Sequence, residues 1–315
     1  MSKPCVLLAA ELPEATCAEL RALFDLVELP KDEAERPAVL ARHGSRIRGM
    51  ALRKTRVDAP LLAALPALEI IASYSAGLDN VDLAAVKARG IALQNTSQVL
   101  ADDVANTAMG LALALTRDLV NADAYVRSGQ WPQRGQYPLG RSISSMRVGI
   151  VGLGSIGLAI ARRMAAFGAQ VAYFGPSRKP VDWPYYDDVT ELARHCDLLV
   201  LTCPLTPATH HLVDARVLDA LGPRGYLVNI ARGPVVDEAA LIAALAADRI
   251  AGAALDVFEH EPEVPTALLQ DRRLVLTPHI GSATEEARSA MADHVVHTLA
   301  RHFGLRRSGQ AGAVR

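Results

Sequence analysis

The sequence predicts an α/β protein of two domains, each built on a mostly parallel sheet. Three observations predict it. The chain has 315 residues, which at ~150 residues per domain makes two. Two successive series of short apolar runs alternate with helical patterns, and a glycine-rich turn opens the second series. Parallel strands are buried on both faces, so they read as nearly continuous apolar runs, and the helices between them cover the sheet.

In the first series the strands are read at 5–10, 26–29, 47–52, 69–73 and 91–93, with helices near 14–24, 36–43, 58–65 and 81–89. The polar stretch from Gln94 to Gln98 interrupts the rhythm. After it, Asp102 or Asp103 can N-cap a long helix over 104–126. Its apolar residues Val104, Met109, Leu111, Leu113, Leu115 and Leu119 are too frequent for a simple surface helix, which places it between domains or in a subunit contact. Residues 128–145, rich in Gly, Pro, Gln and Ser, read as an extended loop that carries Trp131 and Tyr137. The second series supplies strands at 147–151, 170–174, 197–201, 225–230, 250–255 and 274–276, the six of a doubly wound sheet. A helix over 284–303 follows, then a Gly- and Arg-containing tail expected to be mobile.

Composition excludes several function classes. With 33 Lys plus Arg against 34 Asp plus Glu and a formal charge of −1, the chain has no block of five or six like charges, so neither nucleic acid nor an anionic membrane is an expected partner. No apolar run reaches the ~18 residues of a membrane span, and Glu11 interrupts the first one too soon for a signal peptide. A cytoplasmic protein is expected. Cys5, Cys17, Cys196 and Cys203 form no C-x-x-C pair and read as small buried hydrophobes in a reducing compartment. His294 and His297 share a helix face without the Cys or carboxylate pattern of a metal site, and read as a solvated or interface face. His210, His211 and His260 read as loop residues, and no metal is assigned.

The strand at 147–151 runs into Gly152-Leu153-Gly154-Ser155-Ile156-Gly157 and then a helix, a G-x-G-x-x-G in its proper setting. Gly152 allows the tight turn, Gly154 lets backbone approach a pyrophosphate, and Gly157 lets helix and strand pack closely, with the helix N-terminus turned to the phosphates. Leu153 occupies the first glycine position of G-x-S-x-G, so Ser155 is not a hydrolase nucleophile. NAD-binding versions carry an acid about 20 residues on. Here no acid lies between Ala172 and Val181, and Ser177, Arg178 and Lys179 take its place. They supply hydroxyl and cationic donors for a 2′-phosphate, so NADP(H) is preferred, with NAD(H) the alternative if Asp182 swings in.

Three further stretches follow strands of the second series, where open α/β sheets bind ligands. They are Asn229 to Arg232 with Gly233, Asp256 to Glu261 with Pro262, and Thr277 to Ser282 with His279 at the centre. In this order, after the glycine motif, they resemble the D-isomer-specific 2-hydroxyacid dehydrogenase family, from about Leu52 to Phe303, and most of all its glyoxylate/hydroxypyruvate reductases and hydroxyphenylpyruvate reductases. The resemblance implies two Rossmann-like domains with the active site in the cleft between them. A flavodoxin-like substrate domain would take 1–98 and 284–315, and an NAD(P)-binding domain 99–283. Reduction of a 2-oxo acid needs a proton on the carbonyl oxygen, for which His279 is the candidate donor. Glu261 beside it would favour and orient the imidazolium. Arg232 would polarise the carbonyl and hold the carboxylate. Backbone N–H groups at Ser75, Ala76 and Gly77 would hold the other carboxylate oxygen.

By the same resemblance, cofactor contacts are expected from Leu153 to Ile156, Cys203, Ile230, Ala231, Arg232, Asp256, His279, Gly281 and Ser282. Leu52, Arg53 and Tyr74 are expected near the substrate side chain, Tyr137 at a neighbouring subunit's site, and the chain as a homodimer through the long helix and the 128–145 loop. A formate dehydrogenase is disfavoured, because those enzymes have Gln where this chain has Glu261. The alternatives are an aromatic 2-oxoacid reductase and a corepressor-like module that senses the dinucleotide without turnover.

Overall fold

The computed structural model describes Lys3 to Arg307. In chain order its elements are β1 (Cys5–Ala9), α1 (Glu14–Leu23), β2 (Asp25–Glu28), α2 (Arg36–His43), β3 (Ile47–Leu52), α3 (Ala59–Ala64), β4 (Ile70–Ser73), α4 (Leu83–Ala88) and β5 (Ala92–Gln94). Then come α5 (Ala101–Thr116), α6 (Leu119–Arg127), α7 (Trp131–Arg134), β6 (Arg147–Val151), α8 (Ser155–Ala166), β7 (Gln170–Phe174), β8 (Tyr185–Tyr186), α9 (Val189–Arg194) and β9 (Leu198–Leu201). The chain continues through α10 (Ala215–Leu221), β10 (Tyr226–Asn229), α11 (Glu238–Ala246), β11 (Gly252–Leu255), α12 (Thr266–Gln270), β12 (Leu274–Leu276) and α13 (Glu285–His302). The described residues fall into two compact units, one within Met1–Leu100 and Thr284–Arg315, the other Ala101–Ala283.

The first unit holds a five-stranded parallel sheet in the order β2-β1-β3-β4-β5. This is the flavodoxin-like 2-1-3-4-5 winding. Its three inner strands are largely apolar because both faces are covered: Val6, Leu7, Ile47, Met50 and Ile71 have no or almost no exposed surface. Helix α13 belongs to this unit and packs on β4 and α1. Asp58, Asp82 and Thr284 accept from first-turn amides of α3, α4 and α13, each such cap contributing about 1 kcal/mol.

The second unit holds seven parallel strands in the order β12-β11-β10-β9-β6-β7-β8. Counted from β6, this is the 3-2-1-4-5-6 winding with one more strand at the end. Three strands, β6, β7 and β12, fall where the apolar runs place them. The two-residue edge strand β8 has no run to announce it.

The long helix expected over 104–126 is two helices. Asp118 adopts a left-handed conformation, φ 52°, which breaks the i to i−4 ladder between α5 and α6. Helix α5 begins at Ala101, so Asp102 and Asp103 sit in its first turn, not at its cap, where they still favour the positive end of the dipole. Its high apolar content has a local cause, since it packs against α8 and β10 to β12 within its own unit. The 128–145 segment contains α7 and a 3₁₀ turn at Ile143–Ser145.

The chain's last described residue is fixed: the Arg307 guanidinium donates to both oxygens of Glu19 and to Asp293. The expected mobile tail beyond it lies outside the described residues. Among the described residues no helix is long and apolar enough to cross a membrane.

Candidate active site

The glycine turn has the geometry that a dinucleotide requires. Gly152 has φ +98°, and a Cβ there would stand 2.8 Å from the backbone N and Cα of Cys203, so any side chain would be strained twice over. A Cβ at Gly157 would collide with the Gly152 carbonyl and reach 2.8 Å from Thr202 Oγ1. Gly154 differs: nothing lies within 4 Å of its Cβ position, and its backbone is extended. This open space adjoins the N-terminus of α8, whose cap residue Gly154 offers no side-chain acceptor, leaving the positive end of the helix to an external anion. The residues present therefore fit a pyrophosphate.

Past the end of β7, Ser177, Arg178 and Lys179 are all exposed. The loop that carries them is held from below by Tyr173, fully buried, whose hydroxyl accepts from Lys179 N at 2.7 Å. Neither Arg178 nor Lys179 has an ion-pair partner among the described residues, so both cations are available to a ligand phosphate.

The chargeable residues expected from sequence lie at the carboxyl ends of β10, β11 and β12, three neighbouring strands. Asn229, 1% exposed, organises the first turn. Its side-chain oxygen accepts from Ala231 N at 3.0 Å and its amide donates to Arg232 O at 3.0 Å. Arg232 Nη1 donates to the Ala231 carbonyl at 2.7 Å, which sets the orientation of the guanidinium.

Asp256, also 1% exposed, organises the last turn. It accepts from Thr277 Oγ1 at 2.7 Å, Ile280 N at 2.8 Å and Gly281 N at 2.8 Å, and its carbonyl accepts from His279 N at 2.8 Å. Both oxygens of this carboxylate are thus spent on the His279 loop, a role that sequence reasoning missed when it expected only a cofactor contact. His279 itself takes a left-handed backbone, φ 54°. Its Nδ1–H donates to Glu261 Oε2 at 2.8 Å, while the other Glu261 oxygen accepts from Phe258 N at 3.2 Å. Glu261 therefore holds Nδ1 and leaves Nε2 as the nitrogen for chemistry, on a side chain that is 48% exposed.

Other expected contacts divide. Ile230, Ala231, Leu153, Cys203 and Gly281 are buried beneath these turns, and Ile156 and Ser282 are half-buried. Burial pushes the Cys203 thiol up to about 11 and the Cys196 thiol up to about 12, and all four cysteines are buried and unpaired. Leu52, expected near the substrate, is fully buried and belongs with Val57 and Leu62 to the apolar core of the first unit.

Tyr74, 4% exposed, donates its hydroxyl to Arg288 O at 3.2 Å and carries the Arg53 guanidinium 5.5 Å above its ring. In the following bend the carbonyls of Ser75 and Ala76 accept from Thr96 N and Asn95 Nδ2. The amides of Ala76 and Gly77 donate to no acceptor among the described residues.

Tyr137 is occupied within its own unit. Its hydroxyl donates to Asp118 and its ring meets Tyr125 edge-on at 5.1 Å, while burial and the adjacent carboxylate push its pKa up to about 12. His294 is half-buried beside exposed His297: its Nε2 has no hydrogen-bond partner among the described residues, and burial lowers its pKa. His211 is more than a loop residue, as it pairs with Glu259.

Residues 109–281 match the family model described as D-isomer specific 2-hydroxyacid dehydrogenase, NAD binding domain. A hydroxyphenylpyruvate reductase of Plectranthus scutellarioides is 51% identical over 247 residues, covering 78% of this chain and 79% of that protein. A glyoxylate/hydroxypyruvate reductase of Arabidopsis thaliana is 48% identical over 287 residues, 90% of this chain and 91% of that one. The solved NADPH-dependent glyoxylate/hydroxypyruvate reductase of Sinorhizobium meliloti, in complex with NADP and malonate, is 41% identical with a TM-score of 0.86, covering 96% of this chain and 94% of that chain.

Proposed function

The chain belongs to the D-isomer specific 2-hydroxyacid dehydrogenase family, and we propose that it reduces small 2-oxo acids, glyoxylate and hydroxypyruvate, with NADPH, His279 donating the proton. The observation that carries this reading is the His279 Nδ1 to Glu261 Oε2 bond of 2.8 Å, one strand away from Arg232. When bound, the reduced nicotinamide supplies the hydride. Glu261 fixes the tautomer and tilt of the imidazole, so that the proton leaving for the carbonyl oxygen comes from Nε2. Arg232, oriented by the Ala231 carbonyl, binds the carboxylate and places positive charge where the alkoxide develops. The Ala76 and Gly77 amides are assigned to the other carboxylate oxygen, which makes the first unit the substrate domain and Ala101–Ala283 the NAD(P) domain.

NADPH is favoured over NADH by the exposed cations Arg178 and Lys179 where an acid would otherwise stand, and the NADPH-dependent, NADP-bound relative supports that choice. A second copy of the chain is assigned to the apolar surface of 119–139, where Leu119, Val120, Val126, Trp131 and Leu139 are half or more exposed. Cytoplasmic location, with small acids and no nucleic acid as partners, completes the reading, supported by four unpaired cysteines. A second reading, reduction of hydroxyphenylpyruvate, is favoured by the 51% identity to a reductase of that name.

NADPH oxidation followed at 1 mM glyoxylate, hydroxypyruvate and hydroxyphenylpyruvate, a saturating level for a KM of ~10–100 μM, separates the two. His279→Gln should lower kcat by ~10²–10⁴-fold, the usual worth of a general acid, with NADPH affinity retained. Arg232→Ala should damage both kcat and the KM of the oxo acid. Near-full activity in the His279 variant would sink the proton-donor assignment, and silence of the parent on all three acids would favour a sensing module without turnover.

A further inference from the structure

Glu261 rides on a short strap, Phe258 to Glu261, that leaves β11. Three independent contacts hold this strap. Gly233, next to Arg232, lies with its backbone against the Phe258–Glu259 peptide, so closely that a Cβ at Gly233 would overlap it. Glu238, the first residue of α11 and 6% exposed, accepts the Glu259 N–H on Oε1 at 2.8 Å. His211, in a left-handed conformation of φ 50° and anchored by its own N–H to Pro234 O at 2.8 Å, donates a ring N–H to the Glu259 carboxylate.

A carboxyl group almost without exposed surface is costly to desolvate and is retained where its hydrogen bond has a use. Burial pushes the Glu238 carboxyl up; the Glu259 amide draws it back, the neighbouring Glu259 charge raises it and His260 lowers it. Among the described residues, neither Glu261 nor His279 is hydrogen-bonded to Glu238 or His211. Their partner is the residue two positions before Glu261, and the Phe258 amide that binds Glu261 Oε1 belongs to the same strap.

We infer that Glu238 and the His211–Glu259 pair are positioning residues, a clamp that sets where Glu261 stands and thereby how His279 is held. The inference rests on the proton-donor reading of His279. Its chemistry is geometric: misplacing a reacting group by about 1 Å costs up to ~10²-fold in rate. The Gly233 position accepts no side chain because its backbone sets the Arg232 turn directly against the Phe258–Glu259 peptide of the strap.

A double-mutant cycle in the full-length enzyme tests it, with NADPH and glyoxylate as probes. Glu238→Ala should lower kcat by ~10–100-fold while KM for glyoxylate and Kd for NADPH stay within about twofold. Glu238→Gln, whose amide oxygen still accepts the Glu259 N–H, should restore most of kcat. In a Glu261→Gln background, Glu238→Ala should add less than about twofold, because the group it positions is already changed.

Equal losses in the two backgrounds, a Gln variant as impaired as Ala, or an unimpaired Ala variant would each overturn the clamp. Should Glu238→Ala fail to fold by its melting curve, His211→Ala runs through the same cycle, its side chain being 37% exposed and tolerant of truncation. Failure of the two ideas can be told apart. A fully active His279→Gln removes the proton-donor reading, whereas an inactive His279→Gln with an additive cycle removes the clamp alone.

Discussion

The three glycines of one turn should respond to the same substitution in different ways, since the structure surrounds each differently. Gly152→Ala forces a side chain onto φ +98° and puts its methyl 2.8 Å from the Cys203 backbone, which cannot yield without moving the end of β9. The left-handed conformation costs roughly 1–2 kcal/mol and the overpacking about 1–3 kcal/mol. A loss of ~2–5 kcal/mol lowers the Tm of a unit the size of Ala101–Ala283 by about 5–15 °C. Gly157→Ala should behave alike, because its methyl meets the Gly152 carbonyl.

Gly154→Ala should not. Its methyl enters open space on an extended backbone, so stability should hold or rise by about 0.4–1 kcal/mol through the unfolded state. That open space is the seat assigned to the pyrophosphate, so NADPH titrated by fluorescence should bind at least ~10-fold more weakly, ~1.4 kcal/mol. The refuting results are specific: a Gly154→Ala protein that binds NADPH like the parent moves the pyrophosphate elsewhere, and a Gly152→Ala protein that melts within about 1 °C of the parent removes the strain argument.

Replacing Arg178 and Lys179 together by Ala should raise KM for NADPH by ~10-fold or more and leave KM for NADH nearly unchanged, a charge-assisted phosphate contact being worth ~1.5–3 kcal/mol; equal effects on both cofactors would contradict the assignment. Burial raises the Asp197 carboxyl, yet Arg147 and Arg141 overcome this and hold it at about 2. Because its folded pKa lies below its ordinary value of 3.8, its contribution of ~2 kcal/mol is complete above about pH 5 and is lost as pH falls toward 2. Urea unfolding of the parent and Asp197→Asn should therefore differ at pH 6 and converge near pH 2, and a constant difference would refute the linkage. Sedimentation should show a dimer for the parent and a shift to monomer for Trp131→Glu with Leu139→Glu; a monomeric parent would refute the assignment of the 119–139 surface.

Much of this was legible in the sequence for a physical reason. Strands such as Cys5–Ala9 and Leu198–Leu201 lie inside parallel sheets, where burial on both faces writes an uninterrupted apolar run. Arg232, Glu261 and His279 stood out because each follows such a strand and carries a charge that a fold alone does not need. The break at Asp118 was not legible, since the apolar count continues across it and only the left-handed tolerance of Asp hints at a stop. Tyr185–Tyr186 is too short to show a period. Leu52 reads as a substrate neighbour only through resemblance, because an apolar residue ending an apolar strand carries no chemical signal of its own, and it is fully buried. The strap partners were invisible for a different reason: His211 and Glu259 are 48 residues apart and Glu238 and Glu259 are 21 apart, so no local spacing links them.

The strand order of the second unit connects these features into one line. From β7 through β6, β9, β10 and β11 to β12, neighbouring strands stand ~4.8 Å apart. The loop of Arg178 and Lys179 after β7 is thus about 24 Å of sheet from the loop of His279 after β12, with the glycine turn and its helix N-terminus after β6 in between. An extended ligand with an anionic middle and one further anionic end fits that polarity in one direction only, its reactive end toward β10 to β12. At physiological salt the Debye length is about 8 Å, so exposed Arg178 and Lys179 exert almost no field on His279 across that distance. Any change in turnover caused by replacing them must therefore travel through the bound cofactor, which makes their effect on NADPH against NADH a clean measure of cofactor choice.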